Sequence, residues 1–549
     1  DTGNAWYDAQ KASGKSDAEI KAYLAQFDKV DRYDYDGDGN FNEPDGYIDH
    51  FQAIHAGEGE EAGAPEWAIW SHRWYVNSTD IEKTGPADNK AGGTQIGHTG
   101  IWIGDYTTEP ENGGLGVFTH EFGHDLGLPD LYDTQGGDNS TGFWTLMSAG
   151  SWLNHGGEDI GTTPGYMGAW EKAVLGWLDY DVVPFGENTT LTLGPADRVV
   201  KDKKANEGRL PQAVVVPLPE REYTVSYNTP HSGKGEWWGG SADNLNSTMR
   251  RSLDLTGATS AQLTAWMQYQ IETGYDFLYA EVSTNGGSSW TQVGDAITGR
   301  PSGWAQKSFD LSPWAGQKID FRFRYATDGG LHYAGPFIDD LALTLDGATA
   351  WTDDVESGAG AWTAAGGFEI ISGSITKTAQ DMYIAENRVY SGYDDTLRTG
   401  PYNFGFANTK PDWVERFPYQ NGMLVWFSNG QYTDNNTSAH PGGGLILPVD
   451  ARPAPVTFPD GSMLANRRQP FDATFGTEKT DAVTFHRNGV PVTVPSTKGI
   501  PTFDDRNPNG YWTADNPWGS TKVAGSGTSI TVDKSMKNGD QLQVSVRFR

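Results

Sequence analysis

Residues 120–130 read His120-Glu121-Phe122-Gly123-His124-Asp125-Leu126-Gly127-Leu128-Pro129-Asp130. This is the spacing H-E-x-x-H extended by a glycine and an aspartate, and each fixed position has a mechanical task. On a helix His120 and His124 lie one turn apart on one face, so two imidazoles converge on a single metal. Glu121 sits about 100° further round, flanking the pair, where it takes a proton rather than binding metal. Gly127 adopts the left-handed conformation that ends a helix. Asp130 is then the natural third ligand of a zinc ion, leaving a fourth position for water. Chance yields the bare pattern in about one chain of this length in a hundred and the extended one in about one in ten thousand, so an ordinary helix with two surface histidines is a poor account. Leu115, Phe118, Phe122 and Leu126 form a stripe expected to bury one side of this helix while the histidines occupy another.

Downstream, Phe143-Trp144-Thr145-Leu146-Met147-Ser148-Ala149-Gly150-Ser151-Trp152 places Met147 in a small-residue turn. After an extended zinc motif this is similar to the Met-turn of metzincin peptidases. HEFGHDLGLPDLYD, WTLMSAGSW and the upstream DYDGDGNFNEPDGYIDHF and HAGEGEEAG together resemble the immune inhibitor A family of secreted bacterial metallopeptidases. The resemblance runs over most of the first 180 residues and more loosely beyond. It implies zinc on His120, His124 and Asp130, Glu121 as general base, protein or peptide substrates, secretion, and synthesis as a latent precursor. Better-known metzincins carry histidine as third ligand and often a tyrosine two residues after the methionine. Here Asp130 and Ala149 stand there, and Tyr132 and Tyr166 are candidate substitutes for that tyrosine. An aspartate ligand adds negative charge at the metal, so the expected pH optimum is neutral or mildly alkaline.

A second metal signal precedes the first. Asp34, Asp36, Asp38, Asn40 and Asp45 follow the alternate-position, twelfth-residue logic of a calcium loop, with Gly39 at its bend. A helix capped by Ser16 and Glu19, with Ile20, Leu24 and Phe27 as its stripe, is expected before it. A structural Ca²⁺ is the expected occupant; a solvated acidic turn is the plain alternative. Glu58, Glu60 and Glu61 read chiefly as solvated acids, and Gly100–Gly104 reads as either a substrate-pairing edge strand or a buried core strand.

The chain has 549 residues, no cysteine and a formal net charge of -32. Disulfide and thiolate chemistry are excluded, and nucleic-acid phosphates would be repelled. No apolar run reaches 18 residues, so no membrane span is expected. Asp1 opens without a charged and then apolar leader, so any signal peptide is expected to be absent from this chain.

The expected fold is multidomain: an α+β, metzincin-like zinc peptidase domain over 1–185, then all-β sandwiches of jelly-roll, MAM-like type. Residues 232–350 form the jelly-roll, with Asp339 and Asp340 as candidate calcium ligands. Residues 186–231 and 351–460 flank it as a β-rich domain that is discontinuous if the two segments pair, and 461–549 form a last module. The 21 tryptophans read mainly as sandwich packing, with glycan or matrix contacts as the other use. A calcium-dependent adhesin or glycan-binding protein with a vestigial peptidase domain is the alternative function, and monomer is the default state.

Overall fold

The computed structural model describes residues 1–549 except 1, 33, 35–37, 79–82, 88, 139–140, 156–159, 203–207, 329–330, 400, 403–405, 407, 412 and 414. Two compact units emerge: residues 1–221 together with 379–549, and residues 222–378. Strand dominates, with few helices.

The N-terminal part of the first unit holds helices α1 (Thr2–Ala12), α2 (Asp17–Leu24), α3 (Leu115–Asp125) and α4 (Ala169–Val174). The Ser16/Glu19 capping box at α2 forms as expected, and Ile20 and Leu24 are buried. Phe27 falls beyond the helix and is exposed. A three-stranded sheet sits beside α3. Its strands are β1 (Gln52–His55), β2 (His72–Tyr75) and β3 (Asp105–Pro110). β3 is central, parallel to β1 and antiparallel to β2. β2 is therefore an edge.

The segment 100–104 takes the core reading. Trp102–Ile103 pairs with Thr94–Gln95, and Ile101 and Ile103 pack with Tyr7, Ile20 and Leu24. Burial of these branched side chains removes the segment from reach of a substrate.

A five-stranded sheet runs in the order Leu447–Pro448, Gly422–Ser428, Met382–Arg388, Ala213–Pro217, Tyr180–Val182. It thus joins chain on both sides of the 222–378 unit. One core lies between this sheet and the zinc-motif region, where Phe143, Trp144 and Met147 pack with Ile384, Phe417, Trp426 and Phe485. Trp144 is fully buried, and its indole N–H donates to the Pro470 carbonyl at 2.8 Å. Removing such a ring from water contributes about 4–6 kcal/mol.

Residues 461–549, expected as a separate module, share a sheet with Thr189–Leu193 through Gln541–Phe548. They also share a core with Val214, Tyr383 and Val425. The alternation Leu542, Val544, Val546 thus closes onto earlier chain instead of onto its own partner sheet.

The 222–378 unit is a two-sheet sandwich. One sheet centres on Ala261–Gln270 and Gly335–Leu345, the other on Phe277–Ser283 and Lys318–Ala326. Alternating side chains such as Leu263, Ala265 and Met267 face Phe321, Phe323 and Tyr325 in a shared core. The sandwich extends past its expected C-terminal limit, because Thr363–Ala365 and Glu369–Ile371 add a strand to each sheet.

Candidate active site

α3 turns its motif face inward. Gly116, Val117, His120, Glu121, Gly123 and Asp125 are buried, while Leu115 and Phe122 are exposed. The expected apolar stripe is therefore the outer side, a correction with a steric cause. A Cβ on Gly123 would lie 2.5 Å from Met147 Sδ, and one on Gly116 would collide with the Ser151 carbonyl. Only glycines on this face allow α3 to rest on the turn below it.

The helix ends as the glycine requires. Gly127 has φ +94°. Its N–H donates to the His124 carbonyl (2.9 Å), and the Leu128 N–H donates to the Gly123 carbonyl (2.9 Å), a Schellman stop. This reversal carries Asp130 back toward the histidines.

His120 Nδ1–H donates to the Leu146 carbonyl at 2.9 Å, and His124 Nδ1–H to the Leu128 carbonyl at 2.8 Å. A carbonyl only accepts, so Nδ1 carries the proton in each ring. Each neutral ring therefore has its lone pair at Nε2. Both Nε2 atoms lie 3.2 Å from Asp130 Oδ1. That oxygen is buried and has no hydrogen-bond partner. Three lone-pair atoms thus face one another, an arrangement a cation resolves. Bonds of about 2.0–2.1 Å at a tetrahedral angle separate ligand atoms by about 3.3 Å, so the donor set and its spacing fit zinc.

Glu121 is buried beside this triad, and burial holds its carboxyl above the usual carboxylate range. Below the helix, Met147 is fully buried. Its N–H donates to Glu171 Oε1 (2.9 Å), and its carbonyl accepts from the Leu131 N–H (2.8 Å). Glu171, on α4, also accepts the Gly168 N–H, so α4 holds the methionine turn from beneath.

A cleft of about 490 Å³ opens over the triad, lined by Trp70, Ser71, His72 and Arg73 of the β2 region, by Tyr132 and Trp152, and by Arg467. Of the two tyrosine candidates, Tyr132 lines this cleft; burial and then the Asp130 charge push its hydroxyl upward. Tyr166 packs on Tyr393 instead. Glu61 is no solvated acid: it accepts from Ser71 N–H (3.1 Å) and Oγ–H (2.7 Å), fixing the start of β2.

Several participants carry no local motif. Asp125 is buried at the end of α3, where it binds Arg32 (3.1 Å) and His50. Arg467 reaches the cleft from more than 300 residues away. Segments near it brace the loop after Asp130, where the Ser438 N–H donates to Asp133 Oδ2 at 2.7 Å.

The calcium expectations are placed differently. Asp36 lies outside the described residues. Asp34 Oδ1 accepts the Gly39 N–H (2.9 Å) and Asp38 Oδ1 the Asn40 N–H (2.7 Å), while the Asn40 side chain donates to Glu43. Asp45 points inward beside Asp28, and burial pushes it up to about 7. Among the described residues, these side chains form no group with converging ligand atoms. Asp339 accepts from the Ser232 and Asp340 N–H groups (3.0 and 2.7 Å), and Asp340 binds His231 (2.6 Å). No described helix is long and apolar enough to cross a membrane.

Three family models match successive parts of the chain. Residues 1–178 match the immune inhibitor A peptidase M6 catalytic domain. Residues 197–373 match the immune inhibitor A-like MAM domain, and 376–544 the immune inhibitor A-like metallopeptidase VEG domain. The chain is 36% identical over 512 residues to Immune inhibitor A of Bacillus thuringiensis subsp. alesti, covering 88% of this chain and 69% of that protein. It is 34% identical over 484 residues to the Pre-pro-metalloprotease PrtV of Vibrio cholerae, covering 82% of this chain and 48% of that one. The chain belongs to the immune inhibitor A family of metallopeptidases.

Proposed function

We propose that this chain is a secreted zinc endopeptidase of metzincin-like design, with His120, His124 and Asp130 as the zinc ligands and Glu121 as the general base. The observation that carries this reading is the buried, partnerless Asp130 Oδ1 set 3.2 Å from two imidazole nitrogens. Zinc held there supplies Lewis acidity, polarising a carbonyl and acidifying water. Glu121 accepts the proton of the attacking water and delivers it to the leaving amine. β2, an outer strand of its sheet whose residues line the cleft, is where an extended peptide would lie, held by main-chain hydrogen bonds with little sequence demand. Tyr132, which lines the cleft beside Asp130, is the hydroxyl assigned to support a developing oxyanion. Met147 is the floor that keeps α3 in place. A structural Ca²⁺ in the 34–45 loop completes the reading; its support is the ligand spacing alone.

Casein hydrolysis by wild type and Glu121→Ala, with zinc measured on both, tests the assignment. Loss of roughly 10²–10⁴-fold in rate with zinc retained is expected. A variant that still cleaves would remove Glu121 from the role.

A further inference from the structure

We infer that Glu272, Asp276 and Asp328 form a calcium-type cation site in the sandwich unit. No sequence motif marks it: the three residues span 56 positions and come from two separate turns. The strand Phe277–Ser283 pairs with Lys318–Ala326 in a register that sets Phe277 opposite Ala326. Asp276, just before the first strand, and Asp328, just after the second, are therefore brought to the same end of the sheet. Glu272 joins them through the tight turn 272–276, which Gly274 permits at φ +84° and which the Asp276 N–H closes onto the Glu272 carbonyl at 3.2 Å.

One carboxylate oxygen from each residue lies within 4.8 Å of the others. A cation with oxygen bonds of 2.3–2.6 Å spans that distance, and donors that are all hard oxygens select calcium over zinc or copper. Convergence of acids is not enough, and a further observation points to an occupant. Asp276 is fully buried; its Oδ1 accepts the Asp328 N–H at 3.0 Å, but its Oδ2 has no partner at hydrogen-bond distance. The Tyr325 hydroxyl, also fully buried, lies beside Asp276. A native interior leaves such a carboxylate oxygen orphaned only at high cost, and an ion removes that cost.

The neighbouring cations are otherwise engaged. His332 pairs with Asp243 at 2.6 Å, and Arg300 stacks on Tyr333. Burial and then the neighbouring acids hold Glu272 and Asp276 above the usual carboxylate range, with Arg300 and His332 acting the other way. The inferred role is structural: the ion ties the end of one sheet of the sandwich together, remote in sequence from the zinc motif.

The test uses the full chain stripped with chelator and then dialysed against Ca²⁺. Bound calcium is counted by mass spectrometry, and amide exchange is followed in peptides covering 270–278 and 324–332. Wild type is expected to bind one ion more than the Glu272→Gln/Asp328→Asn variant and to show calcium-dependent protection in both peptides that the variant lacks. Asp38→Asn should leave that protection intact. Should the double variant fail to fold, Glu272→Gln alone, at a half-exposed turn, serves in its place. Equal calcium counts, or no calcium-dependent protection in wild type, would overturn the inference.

Discussion

Residues 120–130 and residues 34–45 both carry ligand-type side chains at metal-binding intervals, yet among the described residues only the first stretch brings them together. In the zinc motif two of the proposed ligands stand on one helix, a Schellman stop turns the third toward them, and a main-chain carbonyl fixes each imidazole. In the N-terminal loop Asp34 Oδ1 and Asp38 Oδ1 instead accept from neighbouring N–H groups. The lesson is that ligand spacing becomes geometry when independent packing holds the backbone. Where the loop must fold around its own acids, local hydrogen bonds compete for the same oxygens. The cluster at Glu272, Asp276 and Asp328 is the converse case, with convergence and no motif.

This contrast breaks most readily at Asp130. Replacing Asp130 by Ala should lower zinc affinity by well over the roughly 10–100-fold typical of losing an outer-shell partner, read by zinc titration against a chelating dye. Retention of zinc at wild-type affinity would place the third ligand elsewhere.

Next in size is Glu109 on β3. It is fully buried, and burial, only partly offset by Thr107 and Gln52, pushes it up from 4.5 to about 7. Because the folded value is raised, its contribution to stability is fully present below about pH 4.5 and is lost as pH rises through 7. Glu109→Gln, neutral throughout, should match wild type near pH 4.5. By pH 8 it should exceed wild type by about 3 kcal/mol in unfolding free energy. Parallel pH profiles for the two proteins would contradict this.

Gly127→Ala sharpens the role of the helix stop. No atom lies within 4 Å of the added Cβ, so the cost is that of the left-handed backbone, about 1–2 kcal/mol in thermal unfolding. An unchanged melting temperature would mean that the stop is dispensable. Smallest of all, Asp38→Asn should shift stability by under about 0.5 kcal/mol in calcium-free buffer, as for an exposed loop acid. A larger loss would show the loop to be tied to the core.

Much of the site was legible because its chemistry is local. His120, Glu121, His124, Gly127 and Asp130 occupy eleven consecutive positions, and Met147 follows shortly after. The orientation of α3 was not legible. Leu115 and Phe122 have the apolar character of a core stripe, but close approach at Gly116 and Gly123 decides which face is buried. Nor were Arg32, Asp125 and Arg467, whose partners are set by tertiary contacts. In the β half, alternation marked the strands of the sandwich unit. The pairing of Gln541–Phe548 with Thr189–Leu193 joins segments about 350 residues apart, and local pattern carries no trace of such a partner.

The most direct test of the account is anomalous diffraction at the zinc edge from crystals of the active chain. One zinc peak is expected within about 2.0–2.2 Å of His120 Nε2, His124 Nε2 and an Asp130 carboxylate oxygen, with Glu121 outside bonding distance. A peak bonded to Glu121, or none between the two histidines, would contradict it.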